Sequence, residues 1–274
     1  MSKIKNIIFD LDGTLWDSRE QIIEAWKNVI PDININAKDL DNLMGKTNAE
    51  YIKFLFPNFS DKEAEKLMKK CEIEEVKYYD LNFCKGKINS KDIVLVKCGV
   101  GKVNAARTTQ ILTDKFNVKS IINVGSAGGL NNNLEIGDIV IGKELVQHDF
   151  DITPFGHEKG YITDTGRFFK CDEKLINTFK NVKIQGIKVI TGIIASGDIF
   201  CTDAHMKEKI KEKFNADCCE MEGAAIAQVC YLNRVPFLVI RSISDVPNGK
   251  NHIDFDKFIK LASKNCAQII QKIC

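Results

Sequence analysis

Apolar residues change their spacing along this chain, and the changes divide it into parts. Near the start a short apolar run, Ile7-Ile8-Phe9, predicts a strand that ends in Asp10-Leu11-Asp12-Gly13-Thr14. The period then becomes helical. REQIIEAWKNVI (19–30) carries apolar residues at helical spacing, SDKEAEKLMKK (60–70) opens on Ser60 as a cap, and shorter helical stretches lie around 40–44 and 51–56. Beyond residue 80 the rhythm alternates. Strands are predicted at 93–98, 120–124, 138–141, 188–195 and 237–243, and helices at 103–116, 173–180, 204–214, 223–233 and 255–273. Such alternation predicts an α/β fold: a mixed, mainly parallel sheet flanked by helices, preceded by a small helical segment. The division falls between an N-terminal part, 1–80, and a larger part, 81–274. In folds of this class ligands gather at the carboxyl ends of the strands, and the glycine-rich turns of this sequence fall there.

Composition narrows the classes of function. The chain has 274 residues, 44% of them hydrophobic, and a net charge of only +2. Lysines and acids are mixed throughout, so no basic stripe points to nucleic acid. No run of apolar residues is long enough to predict a membrane span. Acids inside the first apolar run argue against a signal peptide. The ten cysteines, at 71, 84, 98, 171, 201, 218, 219, 230, 266 and 274, form no C-x-x-C pair. Most sit in apolar stretches, which predicts reduced thiols in a cytoplasmic protein.

Two carboxylates two residues apart at a strand end, Asp10 and Asp12, can project together and serve nucleophilic or magnesium chemistry. Phe9-Asp10-Leu11-Asp12-Gly13-Thr14-Leu15 resembles the first signature of haloacid-dehalogenase-type phosphatases, and the likeness extends through the helical stretches to about residue 75. In that reading Gly197-Asp198 through Asp203 would be the closing acidic motif and Ser126 the strand-end hydroxyl. A magnesium-dependent phosphatase using Asp10, Asp12, Asp198 and Asp203 is therefore one alternative. The neighbours of Asp198 and Ser126 belong to a different pattern, which makes the first part a truncated phosphatase-like module.

That second pattern comprises CGVGKVNAA (98–106), NVGSAGGL (123–130), GDIV (137–140), HDFDITPFG (148–156), SGDIF (196–200), EMEGAAIAQVC (220–230) and VPFLVIRSISD (235–245). These segments, in this order, resemble the 5′-methylthioadenosine/S-adenosylhomocysteine nucleosidases within the nucleoside phosphorylase superfamily. The resemblance implies hydrolysis of an N-glycosidic bond, which builds positive charge on ribose and sends negative charge into the purine. It implies Asp245 as the acid that protonates the purine, with a pKa raised by burial. Glu222 would accept the ribose hydroxyls and Arg241 would help hold the attacking water. Met221 would pack against the sugar, Phe200 would stack on adenine, and the backbone of Cys201 would read its edge. Ser126 with Gly128 would form the turn beneath the ribose. Glu220, Ser244 and Val100 join the substrate-binding set, and Phe155 is a lid for the thioalkyl tail.

Other roles are open for the same residues. Asp245 could be a helix cap after Ser244, Glu220 and Glu222 could simply favour a helix dipole, and Arg241 could be a surface residue. Arginines of a phosphate clamp are missing around Gly99–Gly101 and before Gly125, where Lys102 is the remaining cation, so water is the expected nucleophile. The resemblance implies no cofactor, a small purine nucleoside as ligand, no nucleic-acid or membrane partner, and a homodimer in which the loop at 148–160 reaches the partner's site. The family's opening strand and its glutamate-rich turn, which supplies the general base, are absent. The strand at 5–9 is expected to fill the vacant place in the sheet, with Asp10 or Asp12 as substitute base. Without a substitute, a catalytically weak nucleoside-binding protein is the further alternative.

Overall fold

The computed structural model describes residues 7–9, 74–88, 91–182, 184 and 186–246. Ten strands and four α-helices are present among them. The short strand β1 (Ile7–Phe9) is followed by β2 (Glu74–Tyr78), β3 (Leu81–Ile88) and β4 (Lys91–Val96). Helix α1 (Lys102–Phe116), β5 (Ile121–Gly129), β6 (Ile139–Gln147), β7 (Phe169–Lys170) and α2 (Glu173–Phe179) come next. The chain continues through β8 (Val189–Ser196), α3 (Ala204–Phe214), β9 (Cys218–Glu220), α4 (Gly223–Asn233) and β10 (Phe237–Asp245).

Near-continuous apolar runs such as Ile139-Val140-Ile141 and Phe237-Leu238-Val239-Ile240 are buried along their whole length. A sheet covered on both faces needs such strands. The seven-stranded sheet runs β1-β5-β10-β6-β8-β9, with β7 beside β6. Pairs β1–β5, β5–β10, β6–β8 and β8–β9 are parallel, whereas β6–β10, β6–β7 and β5–β9 are antiparallel. The sheet is therefore mixed. Because β9 pairs with both β8 and β5, the sheet curls back on itself and gives one row of cross-strand neighbours: Asp245, Gly128, Cys219 and Ala195.

The strand expected at 5–9 joins this sheet. Ile7, Ile8 and Phe9 lie opposite Ile122, Asn123 and Val124 of β5. The predicted helices at 19–30, 60–70 and 255–273, like Asp10 and Asp12, lie outside the described residues.

The expected boundary lies at 80/81. It falls in the tight turn of the β2–β3 hairpin, where Tyr79 adopts a left-handed φ of 57°. β2, β3 and β4 form a separate antiparallel sheet. Tyr78 packs edge-on and the fully buried Phe83 packs at a tilt against Phe116 at the end of α1, with ring centroids 5.7 and 4.8 Å away. Arg107 of α1 donates two hydrogen bonds to Asp80. Residues 74–78 thus pack with the part they precede. The strand at Leu81, Asn82 and Phe83, buried alternately, precedes the first strand predicted for the second part at 93–98 and was not expected.

Helix α4 is apolar almost all round and is packed between α1 and the sheet. Helix α3 buries one stripe only, Lys207, Ile210 and Phe214, at the i, i+3, i+7 spacing of a single face.

Asp217, just before β9, ties the curl together. Its Oδ2 accepts from the Ile193 amide at 3.0 Å, and its Oδ1 accepts from Asn131 at 2.8 Å. A Cβ at Gly192 would lie 2.2 Å from that Oδ2. Gly192→Ala is therefore expected to destabilise the fold by about 1–3 kcal/mol, the usual cost of overpacking. Thermal unfolding of the variant checks this, and an unchanged midpoint would refute the packing described.

Candidate active site

The site is built around one buried carboxylate. Glu220, the last residue of β9, accepts from Ser196 Oγ at the end of β8 and from Arg241 Nη2 in β10. It also accepts from the backbone amides of Glu222 at 3.0 Å and Gly223 at 2.8 Å. Ser196 Oγ in turn accepts from the Ala224 amide at 2.7 Å. Burial alone would push the Glu220 pKa up, but the charge of Arg241 and the donors from Ser196, Arg241 and Gly223 outweigh it. The carboxyl is held below its ordinary range. Glu220 was expected among the substrate-binding residues; both its oxygens are engaged inside the protein, locking three strands to the start of α4.

Arg241 has no exposed surface. Its Nη1 donates to the Ile240 carbonyl at 3.2 Å and its Nη2 pairs with Glu220. The surface reading is excluded. Its guanidinium fixes Glu220, because a buried charge is tolerated only when paired.

Glu222 is the N-cap residue of α4, yet its side chain does not cap that helix. Its Oε1 instead accepts from the Gly101 amide at 2.8 Å. Gly101 has a φ of 88°, which favours glycine. A Cβ there would also approach Asp198 Oδ1 to 3.1 Å. The glycine turn before α1 is held from the other side as well: Asp198 Oδ1 accepts from the Lys102 amide at 2.8 Å, and Asp149 Oδ2 from the Asp198 amide at 2.9 Å. Lys102 Nζ reaches Asp149 at 2.7 Å and Gln147 at 3.2 Å. Burial would raise the Asp149 pKa, but Lys102 and the Asp198 amide bring it below the ordinary value.

Asp245, ending β10, lies opposite Gly128 of β5. A Cβ at Gly128 would sit 3.3 Å from both Asp245 oxygens, so glycine allows the carboxylate to lie flat against this strand. Asp245 accepts from Ser244 Oγ at 3.0 Å and pairs with Lys207 of α3. It is half-buried. Ser126 and Met221 are also half-buried, whereas Phe200 and Val100 are exposed, and Phe155 stands 81% exposed in a one-turn 3-10 helix (Thr153–Phe155). Cys201 is half-buried beside Met206 of α3.

Asp245, Gly128, Ser244, Met221, Glu222, Phe200 and Cys201 thus belong to the loops and strand ends around one row of the sheet. Adjacent strands lie about 4.8 Å apart, so Asp245 and Cys219, one strand apart from Gly128 on either side, are roughly 10 Å apart at their backbones. Glu222 follows three residues after Cys219. Asp245 thus stands against Gly128 on one side, and Glu222 follows the strand that pairs with Gly128 on the other.

Sequence reasoning missed Lys207, although its signal was present: a lysine on the apolar stripe of α3. The acidic pair of the phosphatase alternative is otherwise employed. Asp203 caps α3 by accepting from the Met206 amide at 2.9 Å, and Asp198 holds the glycine turn. Among the described residues no group of three His, Cys, Asp or Glu side chains is placed to hold a metal ion.

The sequence pattern of the phosphorylase superfamily matches residues 57–274, and that of haloacid dehalogenase-like hydrolases matches residues 7–90. A 5′-methylthioadenosine/S-adenosylhomocysteine nucleosidase of Geobacillus sp. is 42% identical over 205 residues, covering 74% of this chain and 88% of the relative. The crystal structure of the nucleosidase of the same name from Neisseria meningitidis, in complex with methylthio-immucillin-A, superposes with a TM-score of 0.75 at 29% identity. That match covers 99% of this chain and 98% of the other. The corresponding structure from Colwellia psychrerythraea 34H, in complex with adenine, gives a TM-score of 0.71 at 35% identity over 76% of this chain and 88% of that one.

Replacing Glu220 by glutamine leaves Arg241 buried without its counter-charge, which is expected to cost about 3–5 kcal/mol. Because the folded pKa of Glu220 is depressed below its ordinary 4.5, the stability it confers is present above that value. It is lost as pH falls through the lower folded value. Urea unfolding should therefore show a flatter acid limb in Glu220→Gln than in the wild type below about pH 4.5; parallel acid limbs would contradict the assignment.

Proposed function

This chain belongs to the 5′-methylthioadenosine/S-adenosylhomocysteine nucleosidase family of the phosphorylase superfamily, and we propose that it hydrolyses the N-glycosidic bond of those nucleosides to release adenine. What supports the proposal is that Asp245 stands beside Gly128 on one strand while Glu222 follows the strand paired with Gly128 on its other side. Cleavage needs a proton for the purine and a negative charge beside the ribose, and these residues supply one each.

In this reading adenine lies against Asp245 and Gly128, stacked on Phe200 and read by the backbone at Cys201. Ser244 and Lys207 fix the carboxyl in place. Glu222 accepts the ribose hydroxyls while facing the oxocarbenium-like sugar, with Met221, Ser126 and Val100 around it. Arg241 and Glu220 act as positioning residues, since they hold the backbone from which Glu222 projects. Water is the nucleophile. The Lys102 ammonium is already committed to Asp149 and Gln147, which supports hydrolysis over phosphorolysis.

The general base is assigned to Asp10 or Asp12. β1 delivers the chain to Phe9 opposite Val124, two residues short of Ser126 in the parallel register of β5. The protein would act in the cytoplasm, as a homodimer, with the exposed Phe155 covering the thioalkyl tail in the partner's site. It would need neither metal nor cofactor.

General acid or base assistance contributes roughly 10²–10⁴ in rate, equivalent to about 3–5 kcal/mol of barrier. Asp245→Asn is expected to lower adenine release from methylthioadenosine by that factor while retaining nucleoside binding by calorimetry. The double change Asp10→Asn with Asp12→Asn should do the same; unchanged turnover there would remove the substitute base. A chelator is expected to leave adenine release intact. Magnesium-dependent cleavage of p-nitrophenyl phosphate, with no adenine release, would instead establish the phosphatase reading.

A further inference from the structure

We propose that Cys201 is a peroxide-reactive thiol that forms a reversible disulfide with Cys219, making the loop after β8 a modification site. Both are free thiols, one half-buried at the surface and one buried in β9. The two thiols perturb each other's acidity, Cys201 Sγ donates to the Ile199 carbonyl at 3.6 Å, and both pack in one apolar cluster with Leu130, Met206 and Ile210. Cys219 Sγ also lies 3.6 Å from where a Cβ of Gly128 would stand, which places the pair beside the floor of the site.

The surroundings make the two sulfurs unequal. The hydrogen bond from Cys219 is the largest influence on Cys201. Burial opposes it, but the hydrogen bond and charge of His148 and the charge of Lys207 add to it, and the Cys201 thiol is brought down to about 5. Cys219 is pushed well above its ordinary value, first by the hydrogen bond to Cys201 and then by burial. The groups facing the pair are thus His148 from the end of β6, Lys207 from α3 and, through its ion pair with Lys207, Asp245 from β10. A thiolate attacks and a protonated thiol resolves, which is the division of labour a redox pair requires.

The chemistry balances with a peroxide as oxidant. The Cys201 thiolate attacks one peroxide oxygen, the O–O bond breaks, and the other oxygen leaves as hydroxide and takes up a proton to become water. Cys201 is oxidised to the sulfenic acid. The Cys219 sulfur then attacks that sulfur, its proton leaves with the hydroxyl as a second water, and the S–S bond forms. A dithiol restores both thiols.

The consequence for activity rests on the function proposed above. Joining Cys201 to β9 tethers the Phe200–Cys201 loop, so the oxidised protein should release adenine more slowly. The disulfide itself is measured without reference to any substrate, so the two readings fail separately.

The test uses the full chain treated with hydrogen peroxide and analysed by peptide mass spectrometry. A Cys201–Cys219 cross-link that disappears with dithiothreitol is expected. Cys219→Ala should stop at a sulfenic acid on Cys201, trapped by dimedone. Iodoacetamide labelling gives a check that needs no variant. A thiolate of low pKa is a weaker nucleophile, so its advantage at neutral pH is modest and the pH profile discriminates better. Labelling of Cys201 should be nearly flat from pH 6 to 8. Cys84, whose pKa is raised by burial and by Glu75, should accelerate about tenfold per unit over the same range, in step with its thiolate fraction. Cross-links through other cysteines in place of this one, or a Cys201 profile that rises like that of Cys84, would overturn the proposal. A cross-link formed without any change in adenine release would overturn its functional consequence while leaving the modification intact.

Discussion

A single buried carboxylate organises this molecule. Glu220 gathers Ser196, Arg241 and two backbone amides at the start of α4, and these donors come from β8, β10 and the turn that leads to Glu222. A charge so deep is tolerable only because every part of it is met by a donor, and removing one partner exposes the full desolvation cost of the others. The outcome is geometric as well as energetic. The residues that face substrate in the proposed reaction project from a backbone that Glu220 holds still.

The curl of the sheet supplies the second constraint. β9 is only three residues long, yet it pairs with β8 in parallel and with β5 in antiparallel sense. Those few ladder bonds bring Gly128 between Asp245 and Cys219. Asp217, immediately before β9, reinforces the closure through Ile193, Leu130 and Asn131. Small residues at the close approaches, Gly128 and Gly192 above all, permit a packing that any side chain would disturb.

The amino-terminal strand links the chain's two resemblances. Ile7–Phe9 matches the start of the haloacid dehalogenase-like pattern and also forms a rung beside β5 of the nucleosidase sheet. A short apolar segment satisfies the backbone donors and acceptors of β5 whatever its ancestry, because ladder pairing reads the backbone and not the side chains. The two family patterns overlap at residues 57–90, and the β2–β3 hairpin lies inside that overlap.

The sequence by itself determined the α/β class, the four described helices to within about a residue, the places of five strands, and the glycine turns, because periodicity and local chemistry carry those features. Helices α3 and α4 begin and end where the pattern places them, since a capping Asp203 and the start at Gly223 are local signals. The candidate residues Asp245 and Glu222 were legible as members of ordered motifs. Only the tertiary structure showed what each acid touches. Glu220 and Glu222 differ by one methionine in sequence, yet one points into a cage of donors and the other toward Gly101. The partners that separate them, Ser196, Arg241 and Gly101, are distant in the chain. Lys207 and Cys219 came together with Asp245 and Cys201 for the same reason: burial and pairing are properties of the packed fold, and no local window of sequence contains them.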